Sequence, residues 1–295
     1  MRQLESALGV SLLERHSRGV SPTPAGSMLY ERACEIIRLV DETEQGVRAL
    51  GGAGRERIVL GLTNGLINFI GREITLGVAK QLPATELQLV EEMSFVLADR
   101  VERGEIDLAL AYEIAERPGL LRVPLLEEEL LFISAPGGGH TKGSEDSDAP
   151  IEFSALADRR LVLPDRRDGT HQLLRASGQR IARELDVVRE VSSVAATREL
   201  VAHGDADSVM PFASASDDLD RGRLHGRRIV NPCPLRTLYL LRATRRPPSA
   251  QEPRLLDLLG PFVQGFAKRL DALAHPLPIL DTPLSEALAK ASPQA

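Results

Sequence analysis

The chain has no tryptophan, and aromatic residues make up only 3% of it. That scarcity argues against the aromatic platforms on which single-stranded nucleic acid stacks. Cysteine is nearly absent too, and Cys34 and Cys233 are too few for a disulfide framework or a zinc site. No stretch approaches the roughly 18 consecutive apolar residues of a membrane span. The opening Met1-Arg2-Gln3-Leu4-Glu5 lacks the apolar core of a signal peptide. The expectation is a cytoplasmic protein without a membrane partner. Positive charge is in deficit, with 36 basic against 42 acidic residues and a net charge of −6. Any contact with DNA must therefore be local. Arginine far outnumbers lysine, a bias read as genome composition rather than mechanism. What is present is an ordinary globular mixture, 43% hydrophobic and 26% charged over 295 residues. At about 150 residues per domain, that length suggests two domains.

The first fifty residues carry the most pattern. Leu4 and Leu8 stand four apart in a short amphipathic helix stopped by Gly9. Two turns cannot stand alone in water. Ser11 to Thr23 holds Arg15, His16 and Arg18 with the turn formers Gly19 and Pro22, and on composition alone it reads as a basic surface loop. From Pro24 onward the pattern changes. Leu29, Ala33, Ile36, Val40, Thr43, Val47 and Leu50 alternate in steps of four and three, a heptad seam. Thr23 suits the N-cap, Pro24 the first turn, and Gly51-Gly52 the end. The seam serves either a helix packed on its own domain or a dimerising helix. A 3.5-residue period kept without a slip favours the dimer.

These residues resemble the LysR-type transcriptional regulators. The resemblance rests on Leu4-Glu5, Leu8-Gly9, Leu12-Leu13, Arg15, Arg18-Gly19-Val20 and Thr23-Pro24-Ala25-Gly26. It aligns them with the end of a recognition helix, a wing and the start of a linker helix. Leu13 and Pro22 depart from the family at packing positions. The resemblance implies a partial winged helix-turn-helix over residues 1–23, whose base-reading residues would precede Met1. A start codon placed too late or a true truncation would each account for this. Arg15 and Arg18 are then expected to contact DNA phosphates, which set position and not sequence. A linker and dimerisation helix with its hinge is expected over residues 24–54, built on Leu29, Ala33, Ile36, Val40 and Val47.

Beyond residue 55 strands and helices alternate. Arg57–Leu62, Leu87–Val90 and Ile106–Tyr112 read as parallel strands separated by helices. Leu130–Ser134 follows as a strand, then a polar, Gly-rich loop over Gly137–Pro150. A second set includes strands at Arg160–Leu163, Val187–Val191 and Asp207–Pro211, with helices over about 169–185 and 194–203. Ile229-Val230, a strong strand at Arg236–Arg242 and a helix over Leu255–Leu270 close the pattern, and the proline-bearing tail from His275 is expected to be loosely ordered. The order resembles the LysR-type effector domain, an α/β, two-lobed fold of the type II periplasmic-binding-protein kind. Gly104 to Leu110, Glu199 to Ala202 and Met210-Pro211 carry that likeness. It implies lobe 1 over residues 55–134 and 236–272, lobe 2 over 135–235 and a tail over 273–295.

In open α/β sheets a ligand sits beyond the carboxyl ends of the strands. Helix N-termini there favour anions. Thr63-Asn64, Ser94, Thr170-His171 and Ser192-Ser193 stand at four strand-to-helix junctions. Each alone is an ordinary N-cap; together they outline a cleft for a small, anionic effector. Tyr112 and Phe212 end strands and serve either as cleft walls or as core. His203-Gly204-Asp205-Ala206-Asp207 reads as a helix-ending loop, since no partner ligand has metal spacing. Gly51 to Gly54 precedes a strand and so is a hinge, not a phosphate loop. No catalytic constellation, cofactor motif or metal motif is present. The leading expectation is a homodimeric or homotetrameric regulator that binds double-stranded DNA and a small effector. A binding module without specific DNA recognition, an enzyme on the same scaffold and a transport solute-binding protein are the alternatives.

Overall fold

The computed structural model describes residues 1–16, 19–50, 55–137, 149–246 and 248–291. Arg18, the hinge at 51–54 and the Gly-rich loop over 138–148 lie outside the described residues. Helix α1 (Arg2–Leu8) ends at Gly9, whose φ of 68° is the left-handed stop that glycine adopts freely. Glu5 Oε1 then accepts from the backbone N–H of Leu12 at 2.8 Å and fixes the turn that follows. The stretch that composition reads as a basic loop is a hairpin. Strands β1 (Leu13–His16) and β2 (Gly19–Pro22) pair antiparallel, with Arg15 opposite Val20. Pairing satisfies the backbone polar groups of this segment, which residue composition does not register. Thr23 caps the next helix as expected, its Oγ1 accepting from Gly26 N at 3.0 Å. A Cβ at Gly26 would lie 1.9 Å from the Leu12 carbonyl oxygen, so this close crossing requires glycine. Helix α2 (Pro24–Leu50) runs the full length of the heptad seam.

The body begins with β3 (Glu56–Leu62), α3 (Asn64–Gln81), β4 (Thr85–Glu91), α4 (Ser94–Glu102) and β5 (Leu108–Tyr112). Then come β6 (Leu120–Ser134), β7 (Ile151–Glu152), β8 (Leu161–Leu163), α5 (Gly169–Arg180), β9 (Val187–Glu190), α6 (Val194–Ala202) and β10 (Asp207–Pro211). Helix α7 (Phe212–Asp220), β11 (His225–Val230), β12 (Leu235–Ala243), α8 (Glu252–Leu270), β13 (Ala274–Pro276) and α9 (Leu284–Ala291) complete it. The strands run in the order β4-β3-β5-β12-β6-β10-β8-β9. β3 is parallel to β4 and β5, and β8 is parallel to β9 and β10, as the alternation of strand and helix requires.

Strand β6 ties the two lobes together. Its Leu120–Glu129 half pairs with β12 in lobe 1, and Leu130–Ile133 pairs with β10 in lobe 2. Leu130–Ser134, which the sequence alone places in lobe 1, thus sits across from lobe-2 strands. Lobe 1 buries Leu60, Leu62, Leu66, Ile74, Leu110, Leu240, Leu259 and Phe266 in one cluster. Lobe 2 has its own, with Phe132, Phe153, Leu161, Leu174 and Ile229.

Through Ala291, the last described residue, the tail is not loosely ordered. β13 pairs with β6, Ala274 opposite Glu128, and α9 buries Leu284, Ala287 and Leu288 in the lobe-1 core. Three apolar residues at helical spacing are a weak signal alone. Packed against α8, they extend a core already present. Helix α5 also ends earlier than expected, at Arg180.

Candidate functional site

A cavity of about 400 Å³ opens between the lobes. Thr63, Asn64, Ser94 and Tyr112 line it from lobe 1, and Thr170 and Ser193 from lobe 2. The topology explains why. Every parallel strand delivers its helix start to the same sheet edge, so residues distant in sequence meet there. The starts of α3, α4, α5 and α6 all line the cavity, and so do Pro211 at the end of β10 and Ser214 of α7.

The hydroxyls differ in their roles. Ser193 caps α6, accepting from Ala196 N at 3.3 Å. Ser94 is not a cap; it is the first residue of α4, and its Oγ accepts from Tyr112 N at 3.0 Å. Thr170 N donates to Asp168 Oδ1 at 2.8 Å, so Asp168 is the cap of α5. Thr63 holds the N-cap position of α3 without a capping hydrogen bond, and its enclosed Oγ1 has no partner among the described residues. Asn64 Nδ2 donates to Glu91 Oε1 at 2.8 Å. Tyr112 is both core and cleft: it is buried and lines the cavity. Burial first, and the nearby Glu128 carboxylate second, hold its phenol well above its ordinary pKa.

Two expected residues lie elsewhere. His171 is one helical step beyond Thr170 and turns away; its Nδ1 is 2.9 Å from the Pro164 carbonyl oxygen, in a separate surface groove with Arg166 and Arg175. Phe212 starts α7 rather than ending a strand. Its ring stands edge-on to Phe69 at 6.3 Å, against the core. A residue following a strand and Pro211 has no periodicity to separate these cases.

Sequence reasoning missed Arg236. It lies inside an apolar strand run, opposite Glu128 of β6 in the register of β12. Its Nη2 and Nε donate to Glu128 Oε2 at 2.8 and 3.2 Å, and its Cζ lies 3.5 Å from the centroid of the Tyr112 ring. Burial works against its charge, but Glu128 outweighs that and holds the guanidinium above its ordinary pKa. An arginine in a buried strand was the available signal, since such a residue needs a partner. Glu91, Glu92 and Asp168 line the same cavity. Among the described residues, no group of three or more His, Cys, Asp or Glu is placed to hold a metal ion.

Residues 52–263 match the family of the LysR substrate binding domain. Residues 1–27 match the bacterial regulatory helix-turn-helix family of lysR type. The chain belongs to the LysR family of transcriptional regulators. Among relatives, it is 26% identical over 275 residues to the HTH-type transcriptional regulator BbuR of Bordetella bronchiseptica, covering 93% of this chain and 83% of that one. It is 27% identical over 260 residues to the nitrogen assimilation regulatory protein nac of Klebsiella aerogenes, covering 87% and 82%. The solved structure of CbnR, a LysR family transcriptional regulator, superposes with a TM-score of 0.62 at 18% identity, covering 100% of this chain and 88% of that one. LysR regulators bind DNA and small effectors and are not enzymes. A transcriptional regulator works in the cytoplasm, where the bacterial chromosome is. No helix among the described residues is long and apolar enough to cross a membrane.

Of the remaining predicted residues that the structure describes, Arg15 is exposed on β1 and the others lie on α2. Along α2, Leu29 and Ala33 are half-buried, whereas Ile36, Val40 and Val47 are 63, 53 and 64% exposed.

Proposed function

We propose that this LysR regulator senses a small anionic effector in the cleft between its lobes and works as a homo-oligomer joined through α2. The observation that carries the effector reading is the convergence of helix starts from both lobes on one cavity. The starts of α3 and α4 carry no side-chain cap, and their uncapped N–H groups and the positive ends of their dipoles suit an anion there. Effector binding would favour one lobe closure and shift how paired DNA-binding segments meet their half-sites. The oligomer reading is supported by three large aliphatic residues left exposed at heptad spacing. Arg15 on the wing is positioned to meet a phosphate, and Arg15→Ala should lower the salt slope of DNA binding by about one unit.

The cleft is tested by filling it. Ala195 is exposed and lines the cavity, so Ala195→Trp blocks it without removing a hydrogen bond. The variant should lose thermal stabilisation by small anions that stabilise the wild type. Equal stabilisation of both proteins would place the ligand elsewhere. Light scattering tests the oligomer: Ile36→Glu with Val40→Glu should lower the mass, and a monomeric wild type would sink the reading.

A further inference from the structure

The guanidinium of Arg236 is only partly used by the protein. Nε and Nη2 both donate to a single oxygen, Oε2 of Glu128. Nη1 donates to no described residue, yet it is not among the enclosed polar atoms lacking partners. Arg236 is 7% exposed and lines the cleft. Tyr112 covers one face of the guanidinium, and Glu128 holds its edge. The group is therefore pre-oriented, with N–H donors left over in a buried setting. Removing a buried ion pair in favour of apolar residues is often neutral or stabilising.

We propose that Arg236 is the anion anchor of the cleft, and that the effector is a small carboxylate with one negative charge and a hydrogen-bond donor at its far end. This inference rests on the cleft being the effector site. The sign and number of charges follow from the lining. Arg236 is the one cation among the described residues lining the cavity, where Glu91, Glu92 and Asp168 are the carboxylates. A second negative charge on the ligand would add to a lining that already carries Glu91, Glu92 and Asp168, which is unfavourable. An amino or hydroxyl group in that position would instead donate to them. The carboxylate end takes the Nη1 N–H groups in a charge-assisted hydrogen bond, with the nearby helix starts adding to the attraction.

The test uses the full chain and calorimetric titration with small probes at millimolar concentration. Lactate, alanine and serine carry one carboxylate and a donor. Succinate and glutarate are dianions, and ethanolamine lacks the carboxylate. A member of the first group should bind, at least about tenfold more tightly than either dianion, and ethanolamine should not bind. Arg236→Gln leaves Glu128 buried alone and risks the fold, so the working variant is Glu128→Gln with Arg236→Gln, which keeps the site neutral. That double variant should lose binding about tenfold or more, while Arg236→Lys keeps part of it. Unchanged affinity in the double variant overturns the inference, as does a preference for the dianions, or silence from every carboxylate. Ala195→Trp separates the two levels. If it leaves binding intact, the cleft reading fails. If it abolishes binding that the double variant retains, only the role of Arg236 fails.

Discussion

Thr63→Val separates a ligand-seeking hydroxyl from a helix cap by the sign of one number. The Thr63 hydroxyl is enclosed and makes no hydrogen bond to a described residue, and it does not cap α3 although it stands at the N-cap position. An enclosed donor without a partner costs about 1–3 kcal/mol of lost hydration. Valine keeps the β-branch and nearly the same shape while removing that cost. The ligand-free variant should thus gain about 1 kcal/mol, at the low end of that range. For a domain of this size the gain raises the melting temperature by about 2–4 °C. A capping threonine would behave oppositely, losing about 1 kcal/mol on replacement. Calorimetric melting of the two proteins, without and with an effector, reads both effects. Effector affinity should fall up to about tenfold in the variant, because one hydrogen bond of about 0.5–1.5 kcal/mol is lost. A lower melting temperature without ligand would refute the reasoning and restore the capping role. A raised one with unchanged effector affinity would show that the hydroxyl is simply unsatisfied.

Leu284→Ala should destabilise the protein by about 2–5 kcal/mol, because the side chain is fully buried in the lobe-1 core; a chemical denaturation midpoint that does not move would mean α9 is not docked. Glu129 is held below its ordinary carboxyl range: burial opposes this, but hydrogen bonds and charge from Arg228, then His275, outweigh it. A lowered pKa stabilises the fold above the ordinary value of 4.5 and loses that contribution as pH falls through the folded value, so Glu129→Gln should flatten the acid limb of a stability profile and cost stability near neutrality. The Cys233 thiol is pushed up to about 11, by burial first and by Glu129 next, from a usual 9.0. In a Cys34→Ser background, alkylation at pH 8 should run roughly a hundredfold slower than for a free thiol, and a rate equal to a free thiol would refute the buried, electronegative setting.

Periodicity determines only what a residue's own neighbours along the chain can impose. The heptad spacing from Leu29 to Leu50 is such a case, and so are the Gly9 stop, the Thr23 cap and the apolar runs of β3, β5 and β12. The strand-helix alternation likewise determined the parallel pairing of β3 with β4 and β5 and of β8 with β9 and β10, and with it the edge where Thr63, Asn64, Ser94, Thr170 and Ser193 gather. Tertiary structure decided the rest, because it turns on partners far away in the chain. Phe212 joined the core through Phe69, and His171 turned from the cleft because successive helical residues point in directions about 100° apart. The tail folded because α8 offered it a face to bury. Arg236 became the cation of the cleft because Glu128, more than a hundred residues earlier, stands opposite it in the neighbouring strand. Local sequence sets each element and its ends; which charge meets which hydroxyl is set by the register of strands that only the folded sheet brings together.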